Sequence, residues 1–304
     1  MTTPTQSSDI QLTGWLSYLP LKLQPFAVIA RLDRPIGWWL LLLPGWWVII
    51  LFAADNAALL STLIYFLIGA VTLRASGCVI NDMWDRDIDQ KVARTSNRPL
   101  ANGTLSLTSA FVFLGLLALI GLMILLQLPV SAWLTGVASL PLIILYPLAK
   151  RFTGWPQFVL GLTYSWGIFL GASCFVPILE MPAIWLLYIG TVFWVIGYDT
   201  IYAVQDMADD QDIGVRSSAL SLGKNLHLGV FCFYAFASTF WAIGLFLSLG
   251  LGIWLIGWTA AILHLVWQLR KLDVTMPDRA RSLFISNRDC GLFLAAGLLL
   301  ERFI

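Results

Sequence analysis

The chain has 304 residues, of which 59% are hydrophobic and only 12% are charged. Soluble domains carry about 25% charged residues, so this composition excludes an ordinary soluble enzyme, and the net charge of +1 gives no basis for nucleic-acid binding. The four cysteines have no CxxC spacing, which favours buried small side chains over a metal or redox site.

Apolar stretches long enough to cross about 30 Å of hydrocarbon recur along the chain, and they predict an all-α polytopic membrane protein. We expect residues 1–35 to form an N-terminal segment without a cleavable signal peptide, with a candidate interfacial helix at residues 10–30. Residues 36–304 are expected to form a single transmembrane domain. The nine predicted spans are residues 36–52, 58–80, 109–126, 130–148, 156–175, 183–203, 228–249, 251–268 and 289–300.

The basic residues fall on one side of this arrangement. Nearly all of the 18 Lys and Arg residues precede the first span or lie in every second connection, and the exceptions are Arg74, inside the second span, and Arg302 at the far end. Because basic loops stay in the cytoplasm, we expect the N-terminus and these longer connections to be cytoplasmic and the C-terminus to be external. The functional residues are therefore expected on the cytoplasmic side.

A weak internal repeat marks two of the cytoplasmic connections. NDMWD at residues 81–85 follows the second span, and QDMAD at residues 205–209 follows the sixth. The two segments share Asp-Met-x-Asp and lie four spans apart. This spacing predicts two pseudo-repeated four-helix units plus one helix, with the two acidic segments facing a central cavity.

The first acidic segment has helical spacing. On a helix that continues from the second span, Asp82, Asp85 and Asp89 fall at i, i+3 and i+7 and share one face. Asn81 adjoins this face, whereas Asp87 points elsewhere and is expected to be solvated.

The second acidic segment repeats the pattern. Asp206, Asp209 and Asp210 fall at i, i+3 and i+4, and Asp199 lies two turns earlier, inside the membrane end of the sixth span. Clustered carboxylates repel one another unless a cation binds between them. Oxygen ligands without His or Cys favour a hard cation, and Mg2+ characteristically uses a few carboxylates plus substrate phosphates. The sequence therefore predicts a phosphate-bearing substrate held through Mg2+; the alternative is that the aspartates are solvated loop charges.

Basic residues accompany these segments on the same predicted face. Arg86, Lys150 and Arg151 are candidate donors to a diphosphate, with ordinary positive-inside charges as the alternative. For Arg94 and Arg98 the two interpretations weigh equally. Two other arginines lie at or inside the spans. Arg34 comes two residues before the first span. Arg74 lies inside the second span and is expected to pair with an aspartate inside the bundle.

Several of these stretches together resemble the UbiA superfamily of intramembrane prenyltransferases. NDMWDRDID fits the N-D-x-x-D-x-x-x-D motif, YDTIYAVQDMADDQDIGVRS fits the second acidic motif, and RLDRPIG, NRPLANG and YPLAKRFTGWPQFVLG are similar to segments of the same family. The likeness is strong over residues 31–223. It implies nine helices around a central cavity with a lateral opening for a lipid tail.

The resemblance also implies roles for individual residues. Two Mg2+ ions bound to the diphosphate would be held by Asn81, Asp82, Asp85, Asp89, Asp206 and Asp210. Arg86, Lys150 and Arg151 would contact the diphosphate. Arg34 would bind the carboxylate of an aromatic acceptor, and Asp199 would lie near its phenol, with pairing to Arg74 as the alternative for Asp199. Asp82, Asp206 and Asp199 are thus the expected catalytic residues.

Within the superfamily, the motifs are most similar to those of members that prenylate 4-hydroxybenzoate. The implied reaction moves a polyprenyl group from polyprenyl diphosphate to the ring carbon beside the hydroxyl, in quinone biosynthesis. The expected setting is a bacterial inner membrane, with no nucleic acid and no obligate protein partner. One alternative is a prenyltransferase acting on homogentisate, dihydroxynaphthoate or a tetrapyrrole. Another is a cation transporter, which is disfavoured because transporters place ionisable groups near the midplane.

Overall fold

The computed structural model describes residues 14–92, 95–149, 153–207 and 217–304, and for Asp206 it describes the main chain alone. Within these ranges the chain forms α-helices and short 3₁₀ helices and no strand. The predicted all-α class is confirmed.

The described residues form a series of α-helices. In chain order they are α1 (Gln24–Ile29), α2 (Ile36–Phe52), α3 (Asn56–Trp84), α4 (Arg86–Asp89), α5 (Leu107–Gln127), α6 (Val130–Ala138), α7 (Leu140–Leu145), α8 (Pro156–Ser165), α9 (Gly167–Ser173), α10 (Pro182–Ala203), α11 (Ser218–Leu222), α12 (Leu226–Leu249), α13 (Trp254–Lys271) and α14 (Pro277–Phe303). The 3₁₀ helices are Gly14–Tyr18, Tyr146–Leu148, Ile178–Glu180, Val204–Asp206 and Gly223–Asn225.

Many of these helices suit a bilayer. In the described ranges, 6 helical stretches are long and apolar enough to cross a membrane, and α2 is a shorter apolar helix. The six are Asn56–Trp84, Leu107–Gln127, Val130–Leu148, Pro182–Ala203, Ser218–Leu249 and Pro277–Phe303. Each of the nine predicted spans coincides with helix, although the fifth is divided between α8 and α9 at Trp166. The chain is an integral membrane protein, and the count of nine crossings stays a prediction.

The last helix begins earlier than the sequence suggested. α14 starts at Pro277, well before residue 289, so Arg279, Arg281 and Arg288 lie on the helix instead of in a loop. Apolarity alone missed this part because its exposed face is charged. Its buried face nevertheless keeps the helical spacing of Ala280, Leu283 and Asn287.

The helices form two compact units. The first comprises the described parts of Met1–Trp38 and Leu67–Gln127. Its core joins α1, the second half of α3 and α5 through buried side chains that include Ile29, Val79 and Leu117. The N-terminal residues form the 3₁₀ helix Gly14–Tyr18 and α1 in place of one helix over residues 10–30. Their position at a membrane interface stays a prediction.

The second unit comprises Trp39–Phe66 and Leu128–Ile304, and α10 is its central helix. α8, α12 and α14 all pack against α10. Three fully buried tryptophans, Trp47, Trp194 and Trp241, meet with ring centroids 5.2 to 5.5 Å apart. Elsewhere α13 and α14 approach closely at Gly257 and Gly297, because a Cβ on Gly257 would lie only 2.6 Å from the Cα of Gly297.

Candidate functional site

The first acidic segment lies where α3 ends. The predicted continuous helix through residue 89 is wrong, because α3 ends at Trp84 and Asp85 (φ −96°, ψ 3°) caps a new short helix, α4. The Asp89 N–H donates to the Asp85 carbonyl oxygen at 2.8 Å, which closes the first turn of α4. Asp85 makes no capping hydrogen bond with its side chain. The low propensity of aspartate for helix interiors accounts for a break within a run of acidic side chains.

The break leaves the three predicted carboxylates buried. Asp82, Asp85 and Asp89 are 1%, 4% and 6% exposed, whereas Asp87 is exposed, as predicted. Asn81 is half-buried in the last turn of α3. Buried carboxylates are costly unless they are paired or bind a cation, so this segment is not an ordinary solvated loop.

Two arginines from other segments of the first unit hold these carboxylates. Arg31 Nη2 donates to Asp82 Oδ1 at 2.7 Å. Arg98 Nη1 donates to the same oxygen at 3.3 Å and to Asp89 Oδ2 at 3.0 Å, so it bridges two aspartates. Arg31 is buried and adopts a left-handed backbone conformation (φ 56°), which is rare for a residue other than glycine.

Neither arginine was among the predicted site residues. The sequence carried a signal for both, since Arg31 opens RLDRPIG and Arg98 lies in NRPLANG. For Arg98 the sequence favours neither a diphosphate donor nor a loop charge, and in the structure Arg98 pairs with carboxylates.

Burial raises the pKa of one carboxylate in this cluster, that of Asp89. Burial is the largest cause raising the pKa of Asp89 above its usual value of 3.8; the charge of Arg98 opposes the rise, and the neighbouring Asp82 adds to it. Arg98 is therefore the group that most strongly opposes the rise in the pKa of Asp89.

The residues present fit a hard cation. Asp82 Oδ2 is buried and has no hydrogen-bond partner among the described residues. Yet no group of three His, Cys, Asp or Glu side chains in the described ranges is arranged so that it could hold a metal ion. A partial set of carboxylate oxygens suits Mg2+, which takes part of its coordination from water and substrate phosphates.

Arg86 adds a donor next to these carboxylates. It is half-buried in the first turn of α4, and its Nε is buried without a hydrogen-bond partner in the described part of the chain. A buried guanidinium N–H of this kind is unfavourable unless an anion or water satisfies it. Arg86 is thus suited to bind a ligand oxygen.

A second pair of arginines surrounds the start of α2. Arg34 precedes α2 and donates from Nε to Asp33 Oδ2 at 3.0 Å, and the Asp33 side chain is fully buried. Arg74 packs against Gly37, where a Cβ would collide with its guanidinium. Helix N-termini also attract anions, so this end of α2 is an anion-attracting region. Pairing of Arg74 with an aspartate stays a prediction.

The second acidic segment continues from α10. Asp199 is half-buried in the penultimate turn of that helix, and the 3₁₀ helix Val204–Asp206 follows it. The chain returns at α11, where Ser218 bonds to Thr200 through their hydroxyls at 2.7 Å and its N–H donates to Gln157 Oε1 at 2.9 Å. These bonds tie the returning chain to α10. The remaining predicted site groups lie outside the described residues: Lys150, Arg151, Asp210 and the Asp206 side chain.

The second unit also carries an apolar groove of about 370 Å³. It is lined by Thr153, Trp155, Phe158, Val159, Phe193, Ile196 and Phe233. None of the described side chains that line it is charged, so its walls suit hydrocarbon.

Residues 41–296 match the model of the UbiA prenyltransferase family. The chain belongs to this family. The resemblance drawn from the motifs is confirmed, and the buried carboxylates of Asp82 and Asp85 lie in the matched part.

Curated UbiA-family relatives are similar over most of the chain. The mitochondrial 4-hydroxybenzoate polyprenyltransferase of Aedes aegypti is 44% identical over 91% of this chain, which spans 63% of that protein's length. The 4-hydroxybenzoate geranyltransferase 1 of Lithospermum erythrorhizon is 38% identical over 98% of this chain and 97% of its own length.

Solved UbiA structures share the fold. The apo structure of a UbiA homolog from Aeropyrum pernix K1 superposes with a TM-score of 0.73 at 24% identity, covering 89% of this chain and 98% of that one. A UbiA homolog from Archaeoglobus fulgidus, solved with GPP and Mg2+, gives 0.62 at 18% identity, covering 91% and 99%.

Proposed function

We propose that this protein transfers a polyprenyl group from a polyprenyl diphosphate to the ring of 4-hydroxybenzoate, ortho to its hydroxyl, with Mg2+. The proposal rests on the buried carboxylates of Asp82, Asp85 and Asp89 in a UbiA-family chain, of which Asp82 and Asp89 are held by arginines. Relatives that are 38% to 44% identical are named for 4-hydroxybenzoate.

The metal ligands in this proposal are Asn81, Asp82, Asp85 and Asp89, joined by Asp206 and Asp210 from the second acidic segment. Support comes from the partnerless Asp82 Oδ2 and from the Mg2+ bound by the A. fulgidus homolog. When bound, Mg2+ would neutralise the charge that develops on the departing diphosphate. Arg31 and Arg98 hold Asp82 through Oδ1, the oxygen opposite the partnerless Oδ2, and Arg98 also holds Asp89.

The diphosphate is proposed to bind Arg86, Lys150 and Arg151. The buried Nε of Arg86 supports its part, and guanidinium groups bind phosphate oxygens through short charge-assisted bonds. These donors would bind the diphosphate both before and after the carbon–oxygen bond to the prenyl group breaks.

The aromatic acid is proposed to bind through its carboxylate to Arg34. Asp33 orients the Arg34 guanidinium through Nε, and the N-terminal end of α2 adds a favourable potential. The ring carbon ortho to the hydroxyl then attacks the first prenyl carbon as diphosphate leaves, and the ring loses a proton. Asp199 is proposed to accept the phenol proton or the ring proton. Its alternative role is as a structural partner of Arg74.

The proposed setting is a membrane crossed nine times, with the N-terminus and the acidic segments on the cytoplasmic side. The polyprenyl tail would lie in the bilayer, and no obligate protein partner is proposed. A bacterial inner membrane stays a prediction, since the Aedes aegypti relative is named as mitochondrial. Quinone biosynthesis is the pathway class that consumes a prenylated 4-hydroxybenzoate.

Product identification tests the proposal. Purified protein in detergent or vesicles is incubated with Mg2+, a prenyl diphosphate and one acceptor at a time: 4-hydroxybenzoate, homogentisate, dihydroxynaphthoate or a tetrapyrrole. Mass spectrometry is expected to find the prenylated product of 4-hydroxybenzoate, and fragmentation is expected to place the prenyl group ortho to the hydroxyl. A preference for another acceptor would replace the substrate assignment. Cation flux across the vesicles without any prenylation would replace the enzyme with a transporter.

A further inference from the structure

Fully buried side chains connect four helices of the second unit through neutral hydrogen bonds. Trp194 of α10 donates from Nε1 to Asn287 Oδ1 of α14 at 2.9 Å. Tyr234 of α12 donates to Gln268 Oε1 of α13 at 2.7 Å, and Gln268 Nε2 donates to Ser286 Oγ at 2.9 Å. Asn287 and Gln268 are both 0% exposed.

One donor sets the direction of the whole network. An indole N–H can only donate, so Asn287 must present its oxygen to Trp194 and direct its amide nitrogen elsewhere. That nitrogen donates to the Leu283 carbonyl at 3.1 Å and lies 3.5 Å from Gln268 Oε1. Gln268 accepts there and from Tyr234, and its own nitrogen donates to the Leu283 carbonyl and Ser286. Every polar atom of the two amides is satisfied in a single arrangement.

The network ends on the part of α10 that carries the second acidic segment. The Trp194 ring meets the Tyr198 ring edge-on at 5.1 Å, and Tyr198 is the neighbour of Asp199. Phe284, one turn before Asn287 on α14, contacts Tyr198 at 5.6 Å and Tyr202 at 4.5 Å. α14 also packs directly against the 3₁₀ helix Val204–Asp206.

We infer that Asn287 is a positioning residue: through Trp194 it fixes the height and rotation of the C-terminal end of α10, and hence the placement of Asp199 and of the main chain at Asp206. A hydrogen bond with a donor-only partner permits one register of α14 against α10, whereas apolar packing alone tolerates small slides. The functional consequence rests on the proposed prenyl transfer, in which Asp199 meets the acceptor's phenol.

The same tryptophan cluster supplies a matched control. Trp241 is also fully buried, packs 5.5 Å from Trp194, and donates its N–H to Thr191 Oγ1 at 3.1 Å. That bond joins α12 to α10 without involving α14. Trp194→Phe and Trp241→Phe therefore each replace one buried indole and remove one buried hydrogen bond. Only Trp194→Phe removes the hydrogen bond to Asn287.

Two readouts test the inference on full-length protein: the Michaelis constant for 4-hydroxybenzoate and amide hydrogen exchange of the peptide covering residues 198–207. Trp194→Phe and Asn287→Leu are expected to raise the KM by roughly 5-fold to 10-fold, the loss typical of one displaced hydrogen-bonded contact. They should also speed exchange in that peptide, whereas Trp241→Phe should leave both near wild type. Loss of folded enzyme alone lowers the apparent kcat without changing KM. If Asn287→Leu does not fold, Trp194→Phe carries the test.

Equal KM values or equal exchange rates for Trp194→Phe and Trp241→Phe would overturn the inference while leaving the proposed function intact. Wild-type protein that prenylates no acceptor would overturn the proposed function instead. In that case exchange of the 198–207 peptide still decides whether Asn287 positions this end of α10.

Discussion

The two units bury different kinds of polar group. The first unit buries formal charges, on Arg31, Arg98, Asp82 and Asp89. The second buries neutral hydrogen-bonding groups, on Trp194, Asn287 and Gln268. The charged cluster extends past the end of α3 and leaves Asp82 Oδ2 without a partner among the described residues. The neutral network lies within long apolar helices, and both of its amides are fully satisfied. The cluster therefore keeps capacity for one more ligand, whereas the network only fixes geometry.

Removal of divalent cations should change turnover more than any substitution in the neutral network, because only the charged cluster is proposed to need them. EDTA is expected to lower turnover by about a thousandfold, equivalent to roughly 4 kcal/mol of transition-state stabilisation. Excess Mg2+ should restore it, and EDTA saturated beforehand with Mg2+ is the control. Full activity in EDTA would assign the carboxylates to structure alone.

Arg98→Gln tests how far the fold depends on the guanidinium group that bridges Asp82 and Asp89. Removing one partner from a buried ion pair costs about 3 kcal/mol, so the variant should unfold at a clearly lower temperature in a detergent melt. Arg288→Gln is the matched control, since its pair with Asp289 is exposed and exposed pairs contribute less than about 1 kcal/mol. Equal melting temperatures would mean that Arg98 is dispensable for holding Asp82 and Asp89.

Arg34→Gln separates acceptor binding from the rest of the site. Loss of a charge-assisted hydrogen bond costs about 2 kcal/mol, so the KM for 4-hydroxybenzoate should rise roughly 30-fold, while the KM for prenyl diphosphate changes little. Arg279→Gln, at an exposed position of α14, should leave both constants unchanged. A parallel rise of both constants in Arg34→Gln would contradict the assigned role.

The smallest effect concerns a carboxylate outside both networks. Thr275 donates from its hydroxyl and its N–H to Asp273 Oδ1, at 2.7 and 2.9 Å, and these bonds lower the pKa of Asp273 below its usual 3.8. The ionised side chain therefore adds stability above the unfolded-state pKa, and this is lost as the pH falls through the lower folded-state value. Asp273→Asn should melt slightly below wild type near about pH 6 and level with it near about pH 2. A difference in melting temperature between the two proteins that is the same at both pH values would contradict this expectation.

Much of the fold could be predicted because apolar length and charge bias act locally along the chain. The positions of α2, α5 and α10 follow directly from their long apolar sequences. The start of α14 could not be predicted in this way, because only the buried face of the helix is apolar there. The division between α8 and α9 falls inside an apolar stretch, so hydropathy does not mark it.

The candidate site was predictable in its residue types and less so in its contacts. Spacing identified Asp82, Asp85 and Asp89 as one group, and all three are buried. Their partners Arg31 and Arg98 are 51 and 16 residues from Asp82, so only the packing of separate segments brings them together. The Asn287 network could not be predicted either, because isolated Asn, Gln and Trp residues form no sequence pattern that marks them as neighbours in the fold.

The most direct test of the central claim is turnover of 4-hydroxybenzoate by Asp82→Asn and Asp87→Asn in excess Mg2+. The two substitutions neutralise carboxylates in the same acidic segment, one buried and one exposed. The account predicts that Asp82→Asn loses about a thousandfold in kcat/KM, roughly 4 kcal/mol, and that Asp87→Asn stays within about twofold of wild type. Comparable activity of the two variants would contradict it.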